Sequence, residues 1–358
     1  VVCEPHASKK AFEGHLKYAT KAYKPVLTYP GSKGGVINQI TSVLNQFPKT
    51  ENYYEPFIGS ASVFFALPSD RVKYAHINDF DPRLKNLYEQ LKAGKLRKCK
   101  TYIKSKKQFQ KAYDRSAKDG CALYNVTKYS FGGQMKRGNF AQSRLDPATK
   151  LKTDFLGPEK RLKEADTKIT SGSYELALEK IRPNSIVYLD PPYIGTESVY
   201  DESGTKSFDG RKFVNFLTSN YRKLKNKNVH FAVSHSYAPR LHALLRHSGI
   251  PKSEMKLCRV KVKRRMGNRP GVNYGSRGKL EFESLIVISK NASKVQCDSI
   301  PFPTKPDDQK FAKCLIKREE NRVLCKGRGG TSTLRKAKKR RSAIRRRADL
   351  RLTLSKSK

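Results

Sequence analysis

Hydrophobic positions along the chain alternate between two periods. Val36, Ile37, Ile40, Val43, Leu44 and Phe47 fall at helical spacing. So do Leu84, Leu87, Tyr88 and Leu91, behind Asp81-Pro82, and further helices are expected over 212–224 and 239–247. Short runs rich in β-branched and aromatic residues read as strands: 52–58, 72–78, 185–189, 229–234, 258–265 and 280–288. The first of these turns on Gly59 into an apolar helix, Val63 to Leu67. Strands and helices alternating in this way predict an α/β chain built on a Rossmann-like sheet.

The pattern changes character in four places. Residues 1–24 are polar and basic with little periodicity and are expected to form an arm. Residues 95–165 are Lys-rich and mainly helical, and they interrupt the sheet-forming segments 25–94 and 166–290. They carry the stretch Tyr129 to Phe140, where aromatic side chains mix with Gly, Gln134, Lys136 and Arg137. Rings plus cations suit stacking on bases and contact with phosphates, so this insertion reads as a target-recognition subdomain. A solvated basic insertion has the same composition. Residues 291–325 read as a linker and 326–358 as a polybasic tail too poor in apolar residues to fold alone. A basic strand over 258–265, ending in Lys263, Arg264 and Arg265, and a return strand over 280–288 enclose a loop containing Arg269 and Arg277, which is expected to contact phosphate.

Charge narrows the partners. The chain carries a net +44, and the tail accounts for +13, leaving +31 on the rest. A small-molecule substrate has no use for such a field, whereas a polyanion does. Nucleic acid is the expected partner, DNA or RNA, with RNA favoured by the charge and the tail and a large ribonucleoprotein as one setting. A membrane surface is not expected, because no Lys-rich helix carries bulky apolar anchors. The seven cysteines are scattered without a CxxC pair, which argues against zinc and reads as free thiols in a reducing compartment. The first residue is Val1, as in a trimmed polypeptide. The expected location is therefore intracellular: mitochondrial after transit-peptide removal, otherwise cytoplasm or nucleoid.

Candidate chemistry concentrates at strand ends. Asp190-Pro191-Pro192-Tyr193 follows the apolar run Ser185 to Leu189. Neither proline can donate an N–H, so the strand must end in a rigid turn. The turn offers a carboxylate, unpaired carbonyls and a flat ring, which together suit a planar base bearing an amino group; an ordinary strand-to-loop turn has the same residues. Upstream, Tyr29-Pro30-Gly31-Ser32-Lys33-Gly34-Gly35 precedes a helix and leaves its backbone N–H groups approachable by an anion. It lacks P-loop spacing. Asp79 ends the second strand, 20 residues after Gly59, about where a ribose-binding acid stands in dinucleotide folds. Asp79 and Asp81 are also candidates for a helix N-cap. His230 and His235 read as structural.

Taken in order, Tyr-Pro-Gly-Ser-Lys (29–33), Glu-Pro-Phe-Ile-Gly-Ser-Ala-Ser-Val-Phe (55–64), Ile-Asn-Asp-Phe-Asp-Pro (77–82) and Asp-Pro-Pro-Tyr (190–193) resemble the Dam-like, or D12-class, adenine-N6 methyltransferases. The resemblance covers roughly residues 25–290. It implies a Rossmann-like methyltransferase sheet, S-adenosylmethionine as cofactor, no metal, and methyl transfer to the exocyclic amino group of an adenine extruded from nucleic acid. It implies cofactor contacts for Tyr29, Gly31, Lys33, Phe57, Gly59 and Asp79, and catalysis at Asp190, Pro191, Pro192 and Tyr193. Ser173 and Tyr174 would lie near the cofactor's adenine. One departure stands out: the family turn carries a second glycine where this chain has Ala61. The other outcome consistent with the charge is a methyltransferase fold kept as an RNA-binding component, for example of an organellar ribosome, with reduced or no catalysis.

Overall fold

The computed structural model describes residues 23–48, 50–145, 153–192, 208–235, 241, 244–245, 248–262 and 281–299. Seven strands form one sheet: β1 (Asn52–Glu55), β2 (Tyr74–Asp79), β3 (Thr167–Ser171), β4 (Ser185–Leu189), β5 (Val229–His235), β6 (Met255–Val262) and β7 (Glu281–Ile288), in the order β3-β2-β1-β4-β5-β7-β6. The first five are mutually parallel, and β7 runs antiparallel to both β5 and β6. From β1 the chain moves outward through β2 to β3, then returns to the other side of β1 as β4. Connections therefore leave the carboxyl ends of β1 and β4 in opposite directions, which opens a crevice there.

Every residue of β4 and β5 is buried, as expected for strands covered on both faces. Alternate side chains feed two cores. Tyr53, Ala75, Ile77, Ile186, Tyr188 and Val287 pack on one face with α1 (Ile37–Leu44), α2 (Ser62–Ala66) and α3 (Pro82–Lys92). Tyr54, Val187, Leu189, Phe231, Val233 and Ile286 pack on the other with Phe213, Val214, Leu217 and Tyr221 of α8 (Gly210–Leu224). A third, smaller cluster of Phe109, Ala112, Ala122 and Val126 joins α4 (Lys106–Arg115) to α5 (Gly120–Tyr129). Two short helices complete this part of the chain, α6 (Leu156–Glu164) and α7 (Tyr174–Ala177).

Several expectations need adjusting. β3 has no counterpart in the hydrophobic pattern, because Thr-Lys-Ile-Thr-Ser forms an edge strand with only Thr167 fully buried. β6 begins at Met255, three residues before the expected start at Cys258. Of the helix expected over 239–247, residues 241, 244 and 245 are described, and they are helical.

The free-thiol reading fails for four cysteines: Cys99 pairs with Cys121 and Cys258 with Cys297, with Cα atoms 5.5 Å and 5.6 Å apart. The partners are 22 and 39 residues apart in sequence, so no local spacing announces them. Tertiary packing makes the pairs. Asn125 of α5 donates to the Lys100 carbonyl, holding the two segments side by side, and Arg259 N–H of β6 donates to the Asp298 carbonyl at 2.7 Å. Cys3, Cys314 and Cys325 lie outside the described residues.

Candidate active site

The crevice at the switch point gathers the sequence-predicted residues from four segments. Asp190 leaves β4 and is largely buried, and Pro191 behind it is buried too. Lys33 reaches it from the glycine loop: Nζ stands 2.5 Å from Asp190 Oδ2 and donates to the Gly31 carbonyl at 2.9 Å. Burial raises the Asp190 carboxyl above its ordinary range, and the Lys33 ammonium pulls it back.

Glu55 ends β1 and is fully enclosed, a residue that motif reasoning quoted but gave no role. Burial first, then the neighbouring Asp190 charge, push its carboxyl up to about 8. Oε2 accepts from Tyr53 Oη at 2.7 Å and from Phe64 N–H at 3.2 Å. At neutral pH Glu55 is therefore mostly protonated.

The turn after β1 is held by its own geometry. Gly59 has φ +45°, and a Cβ there would come within 2.9 Å of the Tyr29 ring, so only glycine lets the two motifs meet. Tyr88 Oη donates to the Gly59 carbonyl at 2.7 Å. Ala61, the departure from the family pattern, sits fully buried at φ 57°, ψ 25°, a left-handed conformation that glycine adopts freely and alanine does not. The structure thus keeps the backbone shape of the glycine turn while carrying a methyl. Ser32, Ser60 and Ser62 link the glycine loop to this turn through hydroxyl contacts of 2.7–3.2 Å.

Asp79, at the end of β2, accepts Gly59 N–H on Oδ2 at 3.0 Å and Asp81 N–H on Oδ1 at 3.1 Å. Burial raises its carboxyl to about 6 despite those donors. The cap of α3 falls to Asp81, which accepts Arg83 N–H at 2.9 Å, and not to Asp79.

Beside Asp79 two large apolar side chains stand unusually exposed: Phe80 at 59% and Leu176 at 68%. Sequence reasoning passed over both. Their only signal was apolar character next to a strand end. Ser173 caps the short α7, and the Tyr174 ring packs 5.5 Å from Phe57, which places both rings in an aromatic cluster with Phe208 and Phe213.

The donor set fits S-adenosylmethionine. Each Asp79 oxygen keeps a lone pair for a ribose hydroxyl, exposed Phe80 and Leu176 offer flat apolar contact to an adenine, and the open backbone at Gly34 and Gly35 can approach an amino-acid end.

Residues expected to meet nucleic acid divide into two groups. Gln134 is exposed, Lys136 is half-buried, and exposed Arg137 pairs with Asp114 at 3.2 Å. Their loop abuts the glycine loop: Gly133, at φ +73°, lies so close to Thr28 that a Cβ would meet its carbonyl oxygen at 2.4 Å. Arg83 ties the same loop to the Asp79 turn by donating to the Met135 carbonyl at 3.3 Å. Tyr193, Lys263, Arg264, Arg265, Arg269 and Arg277 lie outside the described residues.

Sheet order, a single reversed strand and a crevice lined by a strand-end acid, a glycine loop and an Asp-Pro-Pro turn define a Rossmann-like methyltransferase. The family described as D12 class N6 adenine-specific DNA methyltransferase matches residues 29–125 and 136–257, more than half of the chain, and the chain belongs to it. A type II methyltransferase of Lactococcus lactis subsp. cremoris is 24% identical over 254 residues, covering 64% of this chain and 87% of the relative. A type II methyltransferase of Planomicrobium okeanokoites is 26% identical over 241 residues, 61% of this chain and 36% of that protein. A DNA adenine methylase of Vibrio cholerae is 25% identical over 182 residues, 45% of this chain and 62% of the relative. S-adenosylmethionine is the methyl donor of this family, and adenine in DNA is its substrate.

Proposed function

We propose that the chain methylates the N6 amino group of an adenine that is taken out of its nucleic-acid stack and seated against Asp190, Pro191, Pro192 and Tyr193. The observation that carries this reading is the Lys33–Asp190 pair at the switch point of the sheet. Bound S-adenosylmethionine supplies an electrophilic methyl on a positively charged sulfur.

The protein's part is positional. The amino lone pair of adenine is delocalised into the ring and nucleophilic only when drawn out of the plane. Asp190 and the Pro191 carbonyl accept the two amino hydrogens and localise that lone pair on nitrogen. The Lys33 ammonium beside Asp190 opposes the burial that favours the neutral acid. Glu55 stays protonated and adds no competing charge. Holding the amino nitrogen in line with the methyl supplies most of the acceleration, and unstacking the base is repaid by its contacts in the pocket. Tyr193 stacks on the extruded ring. Methyl transfer to oligonucleotides, compared between the wild type and Asp190→Ala, tests the reading.

A second reading is favoured by one observation. The +31 carried outside the tail exceeds what a handful of phosphate contacts requires. On this reading the nucleic acid is RNA, and the fold acts chiefly as an RNA-binding component of a ribonucleoprotein. Equal amounts of DNA and RNA offered as methyl acceptors, with binding measured at several salt concentrations, separate the two.

A further inference from the structure

We infer that Gln39 and Gln46 are positioning residues that clamp α1 to the outer edge of the sheet and thereby hold Lys33 at Asp190. The inference rests on the role given to that pair above, but its test needs no methyl transfer. Each glutamine amide closes a two-way hydrogen bond on the backbone of one residue. Gln39 Nε2 donates to the Lys261 carbonyl at 3.0 Å, and Gln39 Oε1 accepts Lys261 N–H at 2.8 Å. Gln46 Nε2 donates to the Gln296 carbonyl at 2.8 Å, and Gln46 Oε1 accepts Gln296 N–H at 2.6 Å. The partners lie 222 and 250 residues away in sequence, so these bonds do nothing for the helix's own local folding.

Both anchors are held by the sheet. β6 is its last strand and runs antiparallel to β7, hence in the same direction as β5, so Lys261 lies near the crevice end. Gln296 belongs to the strip that follows β7. That strip is fixed to β6 by the Cys258–Cys297 disulfide, by Arg259 N–H donating to the Asp298 carbonyl at 2.7 Å, and by Lys256 Nζ on the Val295 carbonyl. α1 carries the position of these anchors to the site. Val36 N–H donates to the Lys33 carbonyl at 2.9 Å, and the Val36 carbonyl accepts from Gln39 and Ile40 N–H, so the end of the glycine loop and α1 form one hydrogen-bonded rod. At the other end, Gln46 N–H donates to the Val43 carbonyl at 3.2 Å. The apolar contacts of Ile40, Val43 and Leu44 are non-directional and tolerate sliding, whereas a two-way hydrogen bond near each end fixes the rod in place. Lys33 stands at the tip of that rod, with Nζ 2.5 Å from Asp190 Oδ2.

The full chain carrying both Gln39→Ala and Gln46→Ala, titrated with S-adenosylmethionine in the absence of nucleic acid, should bind it about 2- to 30-fold more weakly than wild type, the span expected when coupling through a packed network is cut. The amides of residues 33–36 should exchange hydrogen faster by a similar factor. Gln39→Glu separates the two-way bond from mere bulk. Its carboxylate accepts Lys261 N–H but offers the Lys261 carbonyl no donor, so at about pH 8 it should match Gln39→Ala. Once protonated, the carboxyl both donates and accepts. Its cofactor affinity, taken relative to wild type at the same pH, should therefore return toward wild type as pH falls to about 4.5.

Wild-type cofactor affinity and exchange in the double variant overturn the inference, even if its melting temperature falls, because the bonds then serve stability alone. A Gln39→Glu deficit that does not change with pH overturns it too. Weakened binding that recovers at low pH, alongside a wild type that transfers no methyl group, upholds the clamp and rejects the methylation reading instead.

Discussion

Lys33 Nζ lies 2.5 Å from Asp190 Oδ2, joining two motifs 157 residues apart at the centre of the crevice. The contact sets the Lys33 ammonium against the burial that raises the Asp190 carboxyl. Removing the lysine leaves Asp190 buried without its partner, and its carboxyl pKa rises. Lys33→Ala should therefore lose methyl transfer most severely at low pH, the acid limb of the rate profile moving upward, with partial recovery as pH rises. Loss of a buried partner also lowers stability by about 3 kcal/mol. Rate–pH profiles and thermal melts of the two proteins measure both effects.

Ala61 offers a different kind of test. Its left-handed backbone costs an L-residue about 1–2 kcal/mol, while its buried methyl returns about 0.8 kcal/mol. Ala61→Gly should leave stability within about 1 kcal/mol of wild type and bind S-adenosylmethionine at least as tightly. Ala61→Val, β-branched at positive φ in a filled site, should lose more than about 3 kcal/mol. Thermal denaturation and cofactor titration distinguish these outcomes.

Glu55 makes stability depend on pH in a direction opposite to ordinary carboxylates. Its folded pKa of about 8 lies above the ordinary 4.5, so the folded state holds a proton that the unfolded chain releases. Stability from this group is complete below about pH 4.5 and is lost as pH rises through 8. Glu55→Gln keeps an acceptor for Tyr53 and Phe64 without the ionisation. It should match wild type near pH 5 and exceed it by about 2 kcal/mol or more near pH 8, as read from denaturant melts at both pH values.

Arg161 of α6 is fully buried, its guanidinium 5.0 Å over the Phe64 ring, and its Nε and Nη1 find no acceptor among the described residues. A buried cation so poorly satisfied costs more than an apolar side chain of similar length. Arg161→Met should stabilise the fold by about 1–3 kcal/mol and raise Tm by several degrees. A lower Tm would show that the ring contact outweighs the missing acceptors.

How much of this was legible beforehand follows the physics of each feature. The strands β1, β2, β4, β5 and β7 announce themselves because burial on both faces demands continuous apolar runs. β3 does not, because an edge strand of Thr, Lys and Ser needs no such run. Asp79 and Asp190 were readable from their positions at strand ends. The protonated state of Glu55 was not, since it arises from enclosure and from Asp190, 135 residues away. The disulfides were misread for the same reason: Cys258 and Cys297 meet only because the segment after β7 lies along β6. Phe80 and Leu176 drew no reading at all, because their exposure depends on the finished fold.

The central claim is that Asp190 activates an adenine amino group rather than merely closing a strand. Incubation with methyl-labelled S-adenosylmethionine and adenine-containing DNA or RNA, followed by nucleoside analysis, tests it most directly. The account predicts N6-methyladenine from the wild type, and loss of about a thousandfold or more in Asp190→Ala while cofactor affinity stays within a few-fold. Cofactor bound by the wild type with no methyl reaching adenine, or methylation undiminished in Asp190→Ala, would contradict it.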